Sequence, residues 1–410
     1  MSQGSEMVEL AIPEAIAKFG GQITDVDSHE MMPTKVWEEN FGAEVESLIQ
    51  AYEKSIFARP ENPNSQYVPE YQGDNLEITA DSIWKIKGGR APGATDMSRR
   101  LEVLDLMGIS RQLVFPTSVG LMAAMLRTGY GNNLFKPATD LDVHEYSKEL
   151  FRVHNDWAVR VQSVSSRLRP VAVVQADDVG GVCEVAEDLI RRGIRAFWFL
   201  SGELLGGRSP AHTDLDPLWE VMARNDVVAT VHVGGEGGLL KTEEWSNAPW
   251  FENYKKALEI EADPWHMSIM HLAAQNYVAT MVVGGVFERF PSLRFGAIET
   301  AAHWIGPLAS QLDTSYENGH ILVRNQRNTV LPRAPSYYIN RNVRVSVFDF
   351  EPIDLYIKRF GLEDVYCFAS DYPHVEGGYA PMDRFVEKLQ PLGLETMEKF
   401  FVKNGQWLLP

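Results

Sequence analysis

The chain has 410 residues, of which 45% are hydrophobic, and a formal net charge of −18 at pH 7. This length suits two or three average domains, or one large α/β barrel with insertions. The excess of acidic residues argues against nucleic acid or an anionic membrane surface as the main partner. No apolar run is long enough to span a bilayer, so we expect no membrane partner.

The two cysteines and the composition of the N-terminus indicate the cellular compartment of the protein. The two cysteines, Cys183 and Cys367, lie far apart in the sequence. A disulfide framework is therefore not expected, and a reducing compartment is favoured. Residues 1–20 carry several acidic side chains and lack the basic and apolar pattern of a signal peptide. We predict a cytoplasmic protein in which residues 1–20 form an N-terminal arm.

Strands and helices alternate along most of the remaining chain. A long polar segment near residues 53–95, rich in proline and glycine, interrupts this pattern and is typical of a lid or binding loop. Apolar runs predict strands over residues 22–27, 112–115, 170–175, 194–200, 227–233, 293–298, 343–347 and 365–369. Helical spacing predicts helices over residues 97–107, 141–166, 183–192, 217–224, 263–283, 301–312, 352–360, 382–389 and 394–401.

Eight strands, each preceded or followed by a helix, predict a (β/α)8 barrel. Their apolar runs are typical of buried parallel strands. A doubly wound open sheet is the alternative, but the glycine-rich phosphate loop that this fold uses to bind a nucleotide is absent. We predict an α/β fold with one TIM-like barrel domain over residues 21–410. Long insertions are expected near residues 53–95, 235–262 and 313–340.

The end of the first predicted strand carries the strongest chemical signal. Side chains at positions i and i+2 of an extended chain point the same way, so Asp27 and His29 should converge. A carboxylate oxygen and an imidazole nitrogen together suit a divalent metal such as zinc, iron or manganese. Taken alone, such a pair is more often an acidic turn with a surface histidine, and the residues further along the chain favour a metal site.

Other strand ends add further ionisable residues. His232 ends the fifth predicted strand, Glu299 follows the sixth, and Asp371 follows the eighth. His303 lies one predicted helical turn after Glu299, and His374 lies three residues after Asp371. Each has a structural alternative, such as a hydrogen-bonded core histidine or a turn residue. Because active sites of such barrels lie at the carboxyl ends of the strands, we expect one shared site.

The two imidazoles and two carboxylates of the first, fifth and eighth strands suffice for one divalent cation with an open position. The predicted metal ligands are Asp27, His29, His232 and Asp371. A cation so held lowers the pKa of a bound water to about 7. A neighbouring carboxylate can then orient that water or carry its proton.

Several motifs resemble one known family. The chain has D-V-D-S-H at residues 25–29, L-V-F-P-T at 113–117, G-V-F-E-R-F-P-S-L-R at 285–294 and F-A-S-D-Y-P-H at 368–374. In this order they resemble the metal-dependent, amidohydrolase-related proteins of the aminocarboxymuconate-semialdehyde decarboxylase type. The resemblance covers residues 22–409 and implies a barrel with one divalent metal.

The resemblance places the family's metal ligands on the same four residues, with departures. Asp27 stands where typical members have a histidine. Glu299 stands where the decarboxylases have a histidine that helps proton transfer. The fourth strand, residues 197–200, lacks the bridging lysine of two-metal relatives. Zinc is the expected metal, with manganese and iron as alternatives, and a second metal held by Glu299, His303 or His374 stays open.

The resemblance implies a hydrolase or a decarboxylase acting on a small organic acid, amide or ester. The catalytic candidates are Asp371, His303, Glu299 and His374. Asp371 would carry a proton in either reaction, and His303 or His374 would polarise a carbonyl during hydrolysis. A non-haem iron oxygenase on the same fold and a metal-bearing structural subunit are the alternatives. We expect a small-molecule substrate and a homo-oligomer, with a hetero-oligomer containing a homologue as the alternative.

Overall fold

The computed structural model describes residues 10–410 except 56, 60, 61, 63, 130–141, 238–248, 250–267 and 319–330. Ten short strands run through these residues, and every one of their pairings is parallel. They are β1 (Ile23–Asp25), β2 (His29–Glu30), β3 (Ile109–Pro116), β4 (Leu168–Pro170), β5 (Ala172–Val173), β6 (Ala196–Trp198), β7 (Val228–His232), β8 (Arg294–Ile298), β9 (Val343–Ser346) and β10 (Tyr366–Cys367).

The ten strands occupy the eight positions of a barrel. β1 and β2 are two parts of one extended segment, and β4 and β5 are two parts of another. β3 pairs with β1, β2 and β4, while β5 to β10 pair with one another in chain order. A parallel bridge between Ser28 and Tyr372 joins the last segment to the first. The fold is therefore the predicted (β/α)8 barrel.

Helices surround the strands because each buries an apolar stripe against them. The α-helices are Trp37–Phe41, Glu46–Glu53, Ala80–Lys85, Met97–Leu106, Val119–Thr128, Val143–Gln162, Val179–Arg191, Asp216–Arg224, Leu272–Val283, Val286–Arg289, Ile305–Glu317, Pro335–Asn342, Ile353–Phe360, Pro381–Leu389, Leu394–Glu398 and Asn404–Leu408, with a π-helix at Lys399–Lys403. Shorter 3₁₀ helices are Glu14–Phe19, Thr34–Val36, Ala43–Val45, Gly88–Arg90, Thr213–Leu215 and Gln390–Leu392.

Two helices begin at least four residues later than predicted. The helix predicted over residues 301–312 begins only at Ile305, because Glu299 and Ala301 have left-handed φ values of 52° and 56°. The helix predicted over residues 263–283 is observed as Leu272–Val283, and residues 263–267 lie outside the described part of the chain. Most of the predicted insertion near 235–262 also lies outside it, as do residues 319–330 of the insertion near 313–340.

The long polar segment near residues 53–95 lies across the carboxyl-terminal end of the barrel. The amide of Gln66 donates to the Thr117 carbonyl over 3.2 Å. The Gly88 N–H donates to the carbonyl of Pro373 over 2.9 Å. Both acceptors lie just beyond strand ends, so this segment covers the face where barrel chemistry occurs.

Two further expectations concern the N-terminal arm and membrane-spanning segments. Residues 1–9 of the predicted arm are not described, whereas the helix Glu14–Phe19 buries Ile16 and Phe19. In the part of the chain that the structure covers, no helix has the length and apolar character needed to cross a membrane.

A buried histidine in the long helix Val143–Gln162 makes stability depend on pH. Burial lowers the pKa of His154 to about 4, and its ring Nε2 donates to the Val171 carbonyl over 3.0 Å. At pH values between the folded-state pKa of His154 and the ordinary pKa of a histidine, the unfolded chain therefore binds more protons than the folded protein. The free energy of unfolding falls as the pH falls through that window.

We predict that His154 accounts for about 2 kcal/mol of the stability lost between pH 7 and pH 5. Urea unfolding of the metal-free protein at both pH values should show a smaller loss for His154→Gln. The exposed His212→Gln should behave as the wild type. An equal loss in His154→Gln and the wild type would show that His154 does not titrate in this way.

Candidate metal centre

Six ionisable side chains meet at the carboxyl-terminal end of the barrel. The segment from β1 to β2 supplies Asp27 and His29. Strand β7 ends at His232, which pairs in register with Ile298 of β8 and so lies beside Glu299. The loop after β10 supplies the last two. All six side chains are buried: Asp27, His29, His232, Glu299, Asp371 and His374.

These side chains form two overlapping groups of four, in each of which the potential ligand atoms lie within 4.8 Å of one another. The first quartet is Asp27, His29, His232 and Glu299, and the second is His29, Glu299, Asp371 and His374. In the first, Glu299 Oε2 lies 3.0 Å from His232 Nε2. In the second, Asp371 Oδ1 lies 3.6 Å from His29 Nε2 and 3.3 Å from His374 Nδ1. The four predicted metal ligands thus divide between the quartets, with Asp371 in the second.

The ring nitrogens of the two central histidines have different partners on their two sides. His232 Nδ1 donates to the Val233 carbonyl over 2.9 Å, so Nε2 carries the lone pair in the neutral ring. His29 Nδ1 lies 2.9 Å from the Thr117 hydroxyl, and its Nε2 faces Asp27 over 3.4 Å. Both rings are therefore held by one nitrogen and present the other to the centre, as metal-bound histidines are.

Several atoms that face the centre are buried without a hydrogen-bond partner. They are Asp27 Oδ1, His29 Nε2, His232 Nε2 and both carboxylate oxygens of Asp371. Leaving buried polar atoms unpaired is costly, because each loses its bonds to water. A divalent cation bound between them would satisfy them together, so the residues fit a metal.

The pKa values of the cluster show how its charges are balanced by protons rather than by a cation. Burial lowers the pKa of His232, but Asp27 and Glu299 outweigh burial and raise it to about 10. Burial raises the pKa of Glu299, but His232 and His29 outweigh it and hold this pKa below its usual range. Burial and the charge of Glu299 keep the pKa of Asp371 well above its ordinary value. A cation that binds here displaces these protons, so metal binding should release protons.

A further buried carboxyl, that of Asp25, fixes the first strand to the last. Asp25 accepts hydrogen bonds from Gln112 Nε2 over 2.7 Å and from the backbone N–H and hydroxyl of Ser370 over 2.9 Å and 2.5 Å. Burial raises the pKa of Asp25 to about 6, although these bonds lower it. Arg100 continues the network by donating to Gln112 Oε1 and to the His29 carbonyl. The network holds the backbone beside both Asp27 and Asp371.

Glu30 organises the loop that carries Thr117. Its carboxyl accepts from the Thr117 N–H, the Ser118 N–H and the Ser118 hydroxyl. Burial raises the pKa of Glu30 to about 7, and the bonds from Ser118 and Thr117 oppose this. The Thr117 hydroxyl thereby stays between His29 Nδ1 and His374 Nε2, at 2.9 Å and 3.0 Å.

The sequence predicted some residues of this region and missed others. His303 is exposed, makes an edge-on ring contact with His271 and belongs to neither quartet. Glu236 was missed: its Oε2 is buried without a partner, and burial raises its pKa to about 7 while the charge of His232 lowers it. Its position four residues after His232, in the loop that follows β7, was the available signal.

The barrel and its buried ligand cluster define a metal-dependent enzyme of the amidohydrolase class. The family model described as "Amidohydrolase" matches residues 138–410, about two thirds of the chain, and the chain belongs to this family. The resemblance inferred from the motifs is thereby confirmed. No curated protein sequence matches the chain.

Solved structures of similar fold cover nearly the whole chain. An amidohydrolase from Mycobacterium avium subsp. paratuberculosis is 18% identical with a TM-score of 0.64, over 95% of this chain and 98% of that one. The 5-carboxyvanillate decarboxylase from Novosphingobium aromaticivorans, solved with manganese and 4-hydroxy-3-methoxy-5-nitrobenzoic acid, is 16% identical with a TM-score of 0.59, over 98% and 99%. The 2,6-dihydroxybenzoate decarboxylase from Rhizobium is 15% identical with a TM-score of 0.53, over 76% and 87%. At such identities the matches establish the fold.

The Asp25 network generates a prediction about stability. Ser370→Ala removes a hydroxyl that donates to a buried carboxyl, so we expect a loss of about 1–3 kcal/mol in the free energy of unfolding. Urea unfolding of the metal-free protein measures it. Ser163→Ala is the control, because its exposed hydroxyl bonds only to the nearby Arg160 carbonyl. Equal stability of the two variants would show that the closure does not depend on this bond.

Proposed function

We propose that this chain is a metal-dependent decarboxylase that acts on a small organic acid with a conjugated or aromatic group. One observation carries the proposal: the centre-facing atoms of Asp27, His29, His232 and Asp371 are buried without partners. They lie at the strand ends of a fold shared with decarboxylases of 5-carboxyvanillate and 2,6-dihydroxybenzoate. Unsatisfied carboxylate oxygens and imidazole nitrogens suit zinc or manganese.

We assign Asp27, His29, His232 and Asp371 as ligands of a divalent cation, with zinc as the proposed metal. Manganese is the alternative, since it is the metal in the 5-carboxyvanillate decarboxylase structure. When bound, such a cation would act as a Lewis acid toward substrate oxygens. The Val233 carbonyl and the Thr117 hydroxyl fix the two histidine rings in the required orientation.

Decarboxylation breaks the bond between the substrate carbon and its carboxylate. The electron pair of that bond stays on the carbon, which takes up a proton, and carbon dioxide leaves without any change of oxidation state elsewhere. A proton donor must therefore stand near that carbon. Asp371 is assigned this role because its carboxyl lies among the ligand atoms, with Oδ1 3.6 Å from His29 Nε2. His374 Nδ1, 3.3 Å from Asp371 Oδ1, can return the proton.

The surroundings of the cluster suit a conjugated acid. The rings of Phe115 and Trp198 lie 4.3 Å and 5.8 Å from the His232 ring, centroid to centroid. Trp198 Nε1 is buried without a partner and can donate to a substrate oxygen. Lys87, from the covering segment, supplies positive charge: burial lowers its pKa to about 8, and the charge of Asp371 opposes this. Lys87 can therefore attract an anionic substrate toward a carboxylate-rich site.

Hydrolysis of an amide or ester is the second candidate. Glu299 stands where the related decarboxylases have a histidine, and two buried carboxyls, Glu299 and Asp371, lie beside the ligand atoms. A carboxylate in that position can take a proton from an attacking water. The oxygenase alternative gains no support from the comparisons.

Location and assembly belong to the same proposal. Cys183 and Cys367 are both free, which supports a reducing compartment such as the cytoplasm. The long insertions support a homo-oligomer, with a homologue as the alternative partner. The acidic net charge of −18 supports a small-molecule partner over nucleic acid.

A panel of aromatic and conjugated carboxylic acids, amides and esters tests the reaction. Protein stripped with a chelator and reloaded with Zn²⁺ or Mn²⁺ should release carbon dioxide from an acid, and the stripped protein should not. Asp371→Asn should lower kcat by about 100-fold or more, because it cannot exchange the proton. The exposed His212→Asn is the control and should retain full activity.

The outcome separates the alternatives. Metal-dependent cleavage of an amide or ester, without decarboxylation of any acid, would favour the hydrolase. Absence of metal-dependent turnover with every substrate class would count against an enzymatic role and favour the structural-subunit alternative.

The role of Lys87 is tested by charge removal. Lys87→Met should raise KM for an anionic substrate by about 10-fold, with a smaller effect on kcat, because a uniform attraction is lost. Lys85→Met is the matched control, since the Lys85 side chain is 64% exposed and its ammonium pairs with Asp81. A fall in kcat at unchanged KM would instead place Lys87 in the proton-transfer step.

A further inference from the structure

A carboxylate oxygen beside the ligand cluster is buried without a partner. Glu236 lies in the loop after β7, four residues beyond His232. Its Oε2 is buried and accepts no hydrogen bond from the residues that the structure describes. Burial raises the pKa of Glu236 to about 7, and bonds from the backbone of Glu236 and Gly234 oppose this only in part. Because burying a carboxylate is costly unless it is paired, Glu236 is suited to a partner that arrives with a ligand.

Close backbone packing fixes the position of Glu236. The Gly202 N–H donates to the Gly235 carbonyl over 2.8 Å. A side chain at Gly202 would overlap the Glu236 carbonyl, and a Cβ at Gly235 would lie only 3.2 Å from Trp198 Nε1. Glycine at both positions allows the two loops to approach this closely. Glu236 is thus held next to Trp198 before any ligand binds.

Trp198 directs a bound substrate toward this loop. Its indole Nε1 is buried with no partner in the described part of the chain, and its ring lies 5.8 Å from the His232 ring, centroid to centroid. An acid that reaches the ligand cluster and accepts from Trp198 therefore extends toward Gly235 and Glu236. The charges of His232 and Glu299 act on the Glu236 carboxyl, so this carboxyl is also close to the ligand cluster.

Charges of opposite sign border the ligand cluster on two sides. Lys87 lies beside the loop after the eighth barrel strand, where its Nζ donates to the Gly378 carbonyl over 2.5 Å. Glu236 lies three barrel strands away, after the fifth. One divalent cation balances two of the three carboxylates in the cluster, so the third carboxylate and Glu236 exceed the single positive charge of Lys87. A substrate with only a carboxylate increases this excess, whereas an acid that also carries an ammonium does not.

We propose that Glu236 determines substrate specificity by pairing with an ammonium group of the substrate. The substrate is then a zwitterion, with its carboxylate on the side of Lys87 and its protonated amine at Glu236 Oε2. This inference rests on the proposed function, because it narrows the conjugated or aromatic acid to one that carries a protonated amine. A charged hydrogen bond at one end of the substrate fixes the direction in which the acid lies at the cluster.

Matched acids test this subsite by binding, without reference to turnover. The probes are para-(aminomethyl)benzoate, para-(hydroxymethyl)benzoate and para-methylbenzoate, with their meta isomers as a second geometry. Within each set the shape is nearly constant, and the varied group is an ammonium at pH 7, a hydroxyl or a methyl. Titration calorimetry with the zinc-loaded protein measures Kd. For at least one isomer, we expect the amine to bind about 10-fold or more tightly than its methyl counterpart.

Glu236→Gln removes the charge and keeps the size of the side chain. We expect this variant to lose the preference for the amine, while it binds the methyl acid as the wild type does. Glu220→Gln is the matched control, because Glu220 is exposed on the helix Asp216–Arg224, and it should keep the full preference. A preference that persists unchanged in Glu236→Gln would place the recognition at another residue and overturn the proposal.

The results distinguish this inference from the proposed function. Equal binding of the amine and the methyl acid by the wild type, or no binding of either, would overturn the subsite even if Glu236→Gln failed to fold. Equal binding of the amine and the hydroxyl acid would overturn the assignment of an ammonium. Metal-dependent release of carbon dioxide from an acid without an amine would leave the proposed function intact in both cases. A preference that depends on Glu236, found without any metal-dependent turnover, would support the subsite and count against the decarboxylase.

Discussion

The closure of the barrel between its first and last segments is the contact on which the candidate site depends. The Asp371 N–H donates to the Asp27 carbonyl over 2.9 Å, and the His29 N–H donates to the Tyr372 carbonyl over 2.7 Å. Residues that bear ligand side chains are thus bonded to each other through their backbones. Asp25, which accepts from Ser370, fixes the same contact one layer below. The last strand pairing therefore brings Asp27, His29 and Asp371 together.

The same closure creates an electrostatic cost that a cation can offset. Three carboxylates and three imidazoles are brought together out of contact with water. Without metal, the protein balances them by protonation: the pKa of His232 rises to about 10, and that of Asp371 rises well above its usual value. A group whose pKa moves so far on folding affects stability through its protons. Metal binding replaces those protons, which couples the chemistry of the site to the stability of the barrel.

Local sequence patterns predict the strands and the residues at their ends. Side-chain alternation along a strand can be recognised from neighbouring residues alone, and active sites of such barrels lie at the carboxyl ends of the strands. This placed Asp27, His29, His232, Glu299 and Asp371 at one face. The roles of Asp25 and Thr117 were not predictable in this way, because their partners, such as Ser370 and His374, are more than 250 residues distant. His303 was placed near the site on the assumption of a regular helix, which the left-handed residues Glu299 and Ala301 prevent.

Those left-handed residues connect backbone conformation with chemistry. Glu299 and Asp371 have φ values of 52° and 50°, a region that is unfavourable for residues other than glycine and costs on the order of 1–3 kcal/mol each. Surrounding bonds hold them there: the Glu299 N–H donates to the Ser346 hydroxyl over 2.7 Å, and the Asp371 N–H to Asp27. At both residues the backbone turns away from the preceding strand while the carboxylate still faces the histidines. Such strain does not stabilise the fold. It occurs at both carboxylate residues of the second quartet, as we expect if function requires these two side chains to point toward the histidines.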